Sequence, residues 1–133
     1  MGVGFVTYTA DIDESQLLNE DPVLYVRRLA ECKARTVLSR HGDGVTAVLG
    51  ADTIVTIDGE LLGKPEDAQA AQSMLMRLSK RTHQVITAFA LCGSKGDCVV
   101  HHEVTRVTFR ALQREEIQSY IDTGSPMDKA GAY

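Results

Sequence analysis

The sequence predicts an α/β domain built on a mixed β-sheet, and three observations predict it. Runs rich in β-branched residues alternate with stretches whose apolar residues recur at helical spacing. Gly- and Asp-containing turns close hairpins between some of the strand-like runs. At 133 residues the chain suits one unit, or part of one, with enough length to bury a core.

In chain order, Val3 to Thr9 is β-branched and aromatic without helical periodicity, which predicts a strand followed by the acidic loop Asp11-Ile12-Asp13-Glu14. Asp21-Pro22 reads as an N-cap and a first-turn proline. The stripe Val26, Ala30, Val37 then has helical spacing to about Leu38 and carries Lys33 with it. His41-Gly42-Asp43-Gly44 ends that helix. Ala47 to Ile57 reads as a strand turned back by Asp58-Gly59 into Glu60-Leu61-Leu62, so that Asp52 lies inside the first arm of a hairpin. Pro65-Glu66-Asp67 opens a second helix, with acids in its first turn and Ala71, Met74, Leu75 and Leu78 on its buried face, and Ser79-Lys80-Arg81 closes it. Val85 to Cys92 and Cys98 to Phe109 form an antiparallel pair across Gly93-Ser94-Lys95-Gly96-Asp97. A third helix, Arg114 to Asp122, stops at Gly124.

The totals exclude some functions. A net charge of -4 offers no basic face for a nucleic-acid polymer. No apolar run is long enough to span a bilayer, so no membrane partner is expected. The cysteines Cys32, Cys92 and Cys98 are odd in number and lack C-x-x-C spacing, which suggests neither a disulfide framework nor a zinc site and fits a reducing cytoplasm.

Asp52 is the most informative position, because Val48, Leu49, Ile54 and Val55 flank a carboxylate that would cost several kcal/mol to bury unpaired. It is either a strand-end acid bonded to nearby amides or a general base or metal ligand facing a cleft. Lys33 interrupts an apolar helical face, and either snorkels to solvent or meets a partner or ligand. Lys64 stands between a strand and a helix start, where a cation can meet an anion held by helix amides. Lys129, beside Asp128, is a further candidate against the alternative of a surface loop. Glu14 belongs to an acidic cluster that is either solvated or a source of the hard oxygen ligands that Mg²⁺ or Mn²⁺ prefers. Two strand-associated carboxylates and several lysines together suggest phosphate chemistry with a divalent metal. His101-His102 does not, because neighbours on a strand point to opposite faces.

The runs Gly50-Ala51-Asp52-Thr53, Gly63-Lys64-Pro65, Leu78 to Thr87 and Asp128-Lys129-Ala130-Gly131-Ala132-Tyr133 together resemble the Maf family of nucleoside triphosphate pyrophosphatases. The resemblance implies a two-lobed mixed-sheet fold around a nucleotide cleft, and hydrolysis of a nucleoside triphosphate to the monophosphate and pyrophosphate with a divalent metal. It makes Asp52 the catalytic proton acceptor, Glu14 an acid that with Asp52 helps to hold the metal, and Lys33 and Lys64 phosphate contacts. It ties Thr53 to substrate choice, the Ala-Asp-Thr form resembling the dTTP and UTP branch, and sets Asp128 and Lys129 on the cleft wall. The family's Ser-x-Ser-Pro-Arg-Arg loop would precede Met1, and its Gly-Ile-Gln-Gly segment would follow Tyr133. The resemblance therefore implies an incomplete copy with weak or no activity, whose uncovered sheet surface self-association, as a homodimer or otherwise, would mask. A rival reading is a non-catalytic nucleotide-binding or regulatory protein linked to septum formation. An inosine triphosphate pyrophosphatase would share the fold without this motif order.

Overall fold

The computed structural model describes residues 4–41 and 44–133. Its order is α1 (Pro22–His41), β1 (Ala47–Ile57), β2 (Glu60–Leu62), α2 (Ala68–Leu78), β3 (Thr82–Gly93), β4 (Cys98–Thr108) and α3 (Arg114–Asp122), followed by two 3₁₀ turns, Ser125–Asp128 and Ala130–Ala132. The sheet runs β2-β1-β3-β4. Every pairing among the described residues is antiparallel, so the expected mixed sheet is instead all-antiparallel, with α2 carrying the chain across β1 from β2 to β3. Alternation of strands and helices suggested parallel crossovers, but β1 and β3 pair antiparallel even with α2 between them.

Helix α1 starts where its cap chemistry dictates: Asp21 Oδ1 accepts from the amides of Val23 at 2.9 Å and Leu24 at 3.2 Å. It runs three residues past the expected end at Leu38, with Arg40 and His41 in a last turn that favours cations. Its stripe Val26, Leu29, Ala30, Ala34 and Val37 is buried against one face of β1 and β3, with Ile54, Ile86, Ala88 and Ala90 opposite. Gly50 permits that approach. A Cβ there would stand 2.7 Å from the Ala34 amide nitrogen and 3.0 Å from the Ala34 Cβ, and would collide with the Ala30 carbonyl.

The β1–β2 hairpin turns on Asp58 (φ 55°) and Gly59 (φ 80°), the left-handed pair that a two-residue turn requires. Beyond it, helix α2 begins at Ala68 rather than among the acids: Asp67 is its N-cap, accepting from the Ala70 amide at 2.7 Å, and Glu66 lies outside the first turn. Helix α3 spans Arg114–Asp122 as its pattern predicts, with Gln113 and Glu116 forming a capping box and Gly124 (φ 72°) at its exit. Helices α2 and α3 bury Ala71, Leu75, Ile117 and Ile121 against one another and against Ala132 in a second cluster.

Two further expectations fail. The strand predicted for Val3 to Thr9 is absent over residues 4–9, and Val3 lies outside the described residues. Phe5 and Val6 are 82% and 76% exposed, because β propensity without a partner strand to pair with does not make a strand. Of the helix-ending run, Gly42 and Asp43 also lie outside the described residues. The cysteine reading missed a disulfide: Cys92 and Cys98 face each other across the end of the β3–β4 hairpin, Cα atoms 4.1 Å apart, and are bonded. Spacing alone does not expose such a pair, which depends on strand register.

Candidate functional site

Strand β2 pairs with β1 only at Val55, Thr56 and Ile57, which leaves the preceding part of β1 open along that edge among the described residues. Asp52 and Thr53 occupy this open part, and the two-residue repeat of a strand sends them to opposite faces. Asp52 turns toward α1. Lys33 Nζ lies 2.5 Å from Asp52 Oδ1 and 2.8 Å from Glu14 Oε1, so one ammonium on a helix bridges two carboxylates, one on a strand and one on a loop. Side-chain exposures of 21% for Lys33 and 13% for Asp52 against 49% for Glu14 leave the bridge open to solvent at Glu14, with its inner half desolvated.

Burial sets the electrostatics. It pushes the Asp52 carboxyl above the ordinary carboxylate range, and although Lys33 and Lys64 pull it down and Glu14 pushes it up, burial prevails. Burial also pulls at the Lys33 ammonium, but its bonds to Asp52 and Glu14 outweigh that and hold it charged. The cluster therefore combines a carboxylate made more basic than usual with a fixed positive charge beside it.

On the other face of β1, Thr53, Val55, Lys64, Val85, Asp128 and Lys129 line a pocket of about 310 Å³. Thr53 Oγ1 lies 2.9 Å from Thr87 Oγ1, its direct cross-strand partner. Lys129 Nζ donates to Asp128 Oδ1 and to the Ser125 carbonyl, both at 2.7 Å, and is thereby held at the rim. Lys64 connects the two groups: its charge bears on Asp52 and on Asp128 alike. A larger cavity of about 420 Å³ lies by the start of α1, lined by Asp21, Thr56, Gln84 and Arg106. It holds none of the paired lysines and carboxylates, and chemistry rather than size identifies the site.

The segment carrying Asp128 and Lys129 is fastened at three points. The Gly131 amide donates to the Gly63 carbonyl at 3.0 Å. Gly131 itself has φ 69°, and a Cβ there would press within 3.1 Å of the Val55 side chain. The third point, which sequence reasoning missed, is a contact between His83 Nε2 and the Tyr133 hydroxyl at 2.5 Å, bridging fifty residues. His83 is 2% exposed and packed edge-on against Phe109 and Tyr133. Among the described residues its Nδ1 has no well-aligned hydrogen-bond partner.

Burial pushes the His83 imidazole below its ordinary value, more than the Arg81 carbonyl raises it, so the ring is neutral in the fold. A histidine depressed in this way contributes stability above its unfolded value of about 6.5, and the contribution is lost as pH falls from there. Thermal midpoints recorded between pH 7.5 and 5 should accordingly fall more steeply for the native protein than for His83→Gln. Parallel slopes would remove His83 from the acid response.

The chain matches the family described as Maf-like protein over residues 1–133. It is 50% identical over 133 residues to a dTTP/UTP pyrophosphatase of Symbiobacterium thermophilum, covering all of this chain and 67% of the relative. The same identity over 133 residues relates it to a dTTP/UTP pyrophosphatase of Myxococcus xanthus, covering all of this chain and 66% of that protein. A relative of the same name in Escherichia coli O157:H7 is 47% identical over 135 residues, covering all of this chain and 66% of its own length. The chain thus spans about two thirds of the length of the curated relatives it matches.

Proposed function

The chain belongs to the Maf-like protein family, and from that premise we propose that the protein hydrolyses nucleoside triphosphates, dTTP and UTP foremost, to the monophosphate and pyrophosphate. The observation that carries this reading is the Lys33 ammonium held between Asp52 and Glu14 on the open stretch of β1. Asp52, made more basic by burial, takes a proton from the attacking water as that oxygen bonds to the α-phosphorus and the bond to the departing pyrophosphate breaks. Lys33 and Lys64 offset the charge that gathers on the phosphate oxygens, which is the main task in phosphoryl transfer. Thr53, Asp128 and Lys129 line the pocket on the other face and are assigned to the nucleoside side of the substrate.

A divalent metal fits the donor set. No cluster of three or more potential ligands gathers among the described residues, so the protein alone does not enclose a cation. Two hard carboxylates, Glu14 and Asp52, nonetheless converge on the one position that Lys33 Nζ takes, and Mg²⁺ or Mn²⁺ is commonly held by one or two carboxylates with phosphate oxygens and water completing the shell. When bound, the metal would add Lewis-acid stabilisation of the phosphate charge. A cytoplasmic setting, where such nucleotides occur, accords with this reading, and among the described residues no helix is long and apolar enough to cross a membrane.

The test is release of pyrophosphate from dTTP, UTP, CTP and ATP by the purified protein with Mg²⁺ or Mn²⁺ present. Preferential turnover of dTTP and UTP is the expected result. Nucleotide binding without turnover would favour the regulatory alternative instead.

A further inference from the structure

Glu14 meets Lys33 from a stretch of chain, residues 10–17, that has no helix or strand of its own, and its side chain is half exposed. Secondary structure does not fix it; Ile12 of the same stretch packs against the core, and two side chains of α1 supply the remaining anchors. Tyr25, only 7% exposed, donates its hydroxyl to the Glu14 carbonyl at 2.6 Å. Arg28 donates to the Ser15 carbonyl at 3.1 Å and grips both oxygens of Glu20 at 2.7 Å each. Glu20 in turn accepts from the Leu17 amide at 3.1 Å and so closes the far end of the loop. The Arg28 guanidinium also lies 5.5 Å from the Tyr25 ring centroid, tying the two anchors together.

We propose that Tyr25 and Arg28 are positioning residues that hold the Glu14 loop so that its carboxylate meets Lys33 and Asp52. The helical repeat accounts for the economy of the arrangement. Tyr25, Leu29 and Lys33 are four residues apart and share one face of α1, so the stripe that buries Leu29 also carries the hydroxyl that fastens the Glu14 backbone and the ammonium that receives its side chain. Here burial, with the negative charges of Asp52 and Glu14, also keeps the phenol protonated and therefore a donor.

This inference rests on the site proposed above for its link to metal, but not for its link to loop order, and the experiment separates the two. Tyr25→Phe keeps the ring and removes only the hydroxyl; Arg28→Lys keeps the charge and removes the two-pronged grip. Amide hydrogen exchange at residues 13–20 and Mn²⁺ affinity by electron paramagnetic resonance are measured for each variant, alone and combined with Glu14→Gln. The expected results are faster exchange confined to residues 13–20, and Mn²⁺ binding weakened about fivefold to tenfold, the scale of one net hydrogen bond. In the Glu14→Gln background neither substitution should weaken Mn²⁺ further, since both act through Glu14. Unchanged loop exchange, or an equal loss of Mn²⁺ affinity with and without Glu14, would overturn the proposal. Should the native protein bind no Mn²⁺, the metal part of the functional reading fails, and loop exchange alone decides whether Tyr25 and Arg28 are anchors.

Discussion

Asp52→Asn is expected to lower pyrophosphate release from dTTP or UTP by about 10²- to 10⁴-fold, the usual contribution of a positioned general base, while the protein stays folded. The fold should survive because burial already disfavours the charged carboxyl. A carboxyl whose folded pKa lies above its unfolded value stabilises the protein in its protonated form, and that contribution is lost as pH rises through the folded value. At neutral pH the charged Asp52 is held by its pairing with Lys33 against the cost of burial, and the amide removes both together. Lys33 retains Glu14 as its counter-charge. The same shift places the acid limb of the native kcat/KM profile above the range of an ordinary aspartate. Native-like turnover in the asparagine variant would remove Asp52 from the chemistry, and loss of helix and sheet signal by circular dichroism would show that the charge holds the fold.

Gly50→Ala should produce the largest loss of stability of any single methyl added to the sheet. The new Cβ would press on the Ala30 carbonyl and the Ala34 amide, which are backbone atoms of α1 and cannot swing aside. Relief requires the helix to lift from β1, where Val26, Leu29 and Ala30 are almost wholly buried. Overpacking of this kind costs about 1–3 kcal/mol, and the rigid backbone puts Gly50 at the upper end. Urea denaturation measures it. A midpoint unchanged from the native protein would mean that the seam between helix and sheet is looser than its geometry. Because Asp52 and Lys33 lie on the two sides of that seam, the variant should also lose activity more than its folded fraction accounts for.

What could be read from the sequence was what depends on local pattern. Asp52 stood out as an acid within an apolar run, and Lys33 as a charge on an apolar stripe. Their meeting follows once the stripe must pack on the strand. The limits of β1, β2 and α3 were legible because Asp58-Gly59 and Gly124 have backbone requirements that few other residues meet. What depends on partners distant in the chain was not. The aromatic run near the start looked like a strand, yet a strand exists only where another accepts it, and among the described residues none does. The Cys92–Cys98 bond and the His83–Tyr133 contact follow from register and from the return of the final segment. Tyr25 and Arg28 read as ordinary helix residues, since nothing in their spacing reveals that an irregular loop folds back upon them.

The lysines of the site, Lys33, Lys64 and Lys129, are matched by the carboxylates of Glu14, Asp52 and Asp128, so these six side chains carry little net charge together. Around them the protein carries -4 overall. On the proposed reading, a free triphosphate approaches a chain of its own sign at which the described site residues add no net positive charge, and repulsion acts over about a Debye length before any contact forms. Capture should be slower than diffusion allows in dilute buffer and should quicken as salt rises, the reverse of enzymes that steer anionic substrates. Under the proposed roles the same matching turns to advantage: each phosphate contact that a lysine would make must compete with a carboxylate already there. Anions without a divalent counter-charge are then held loosely, and the product can leave.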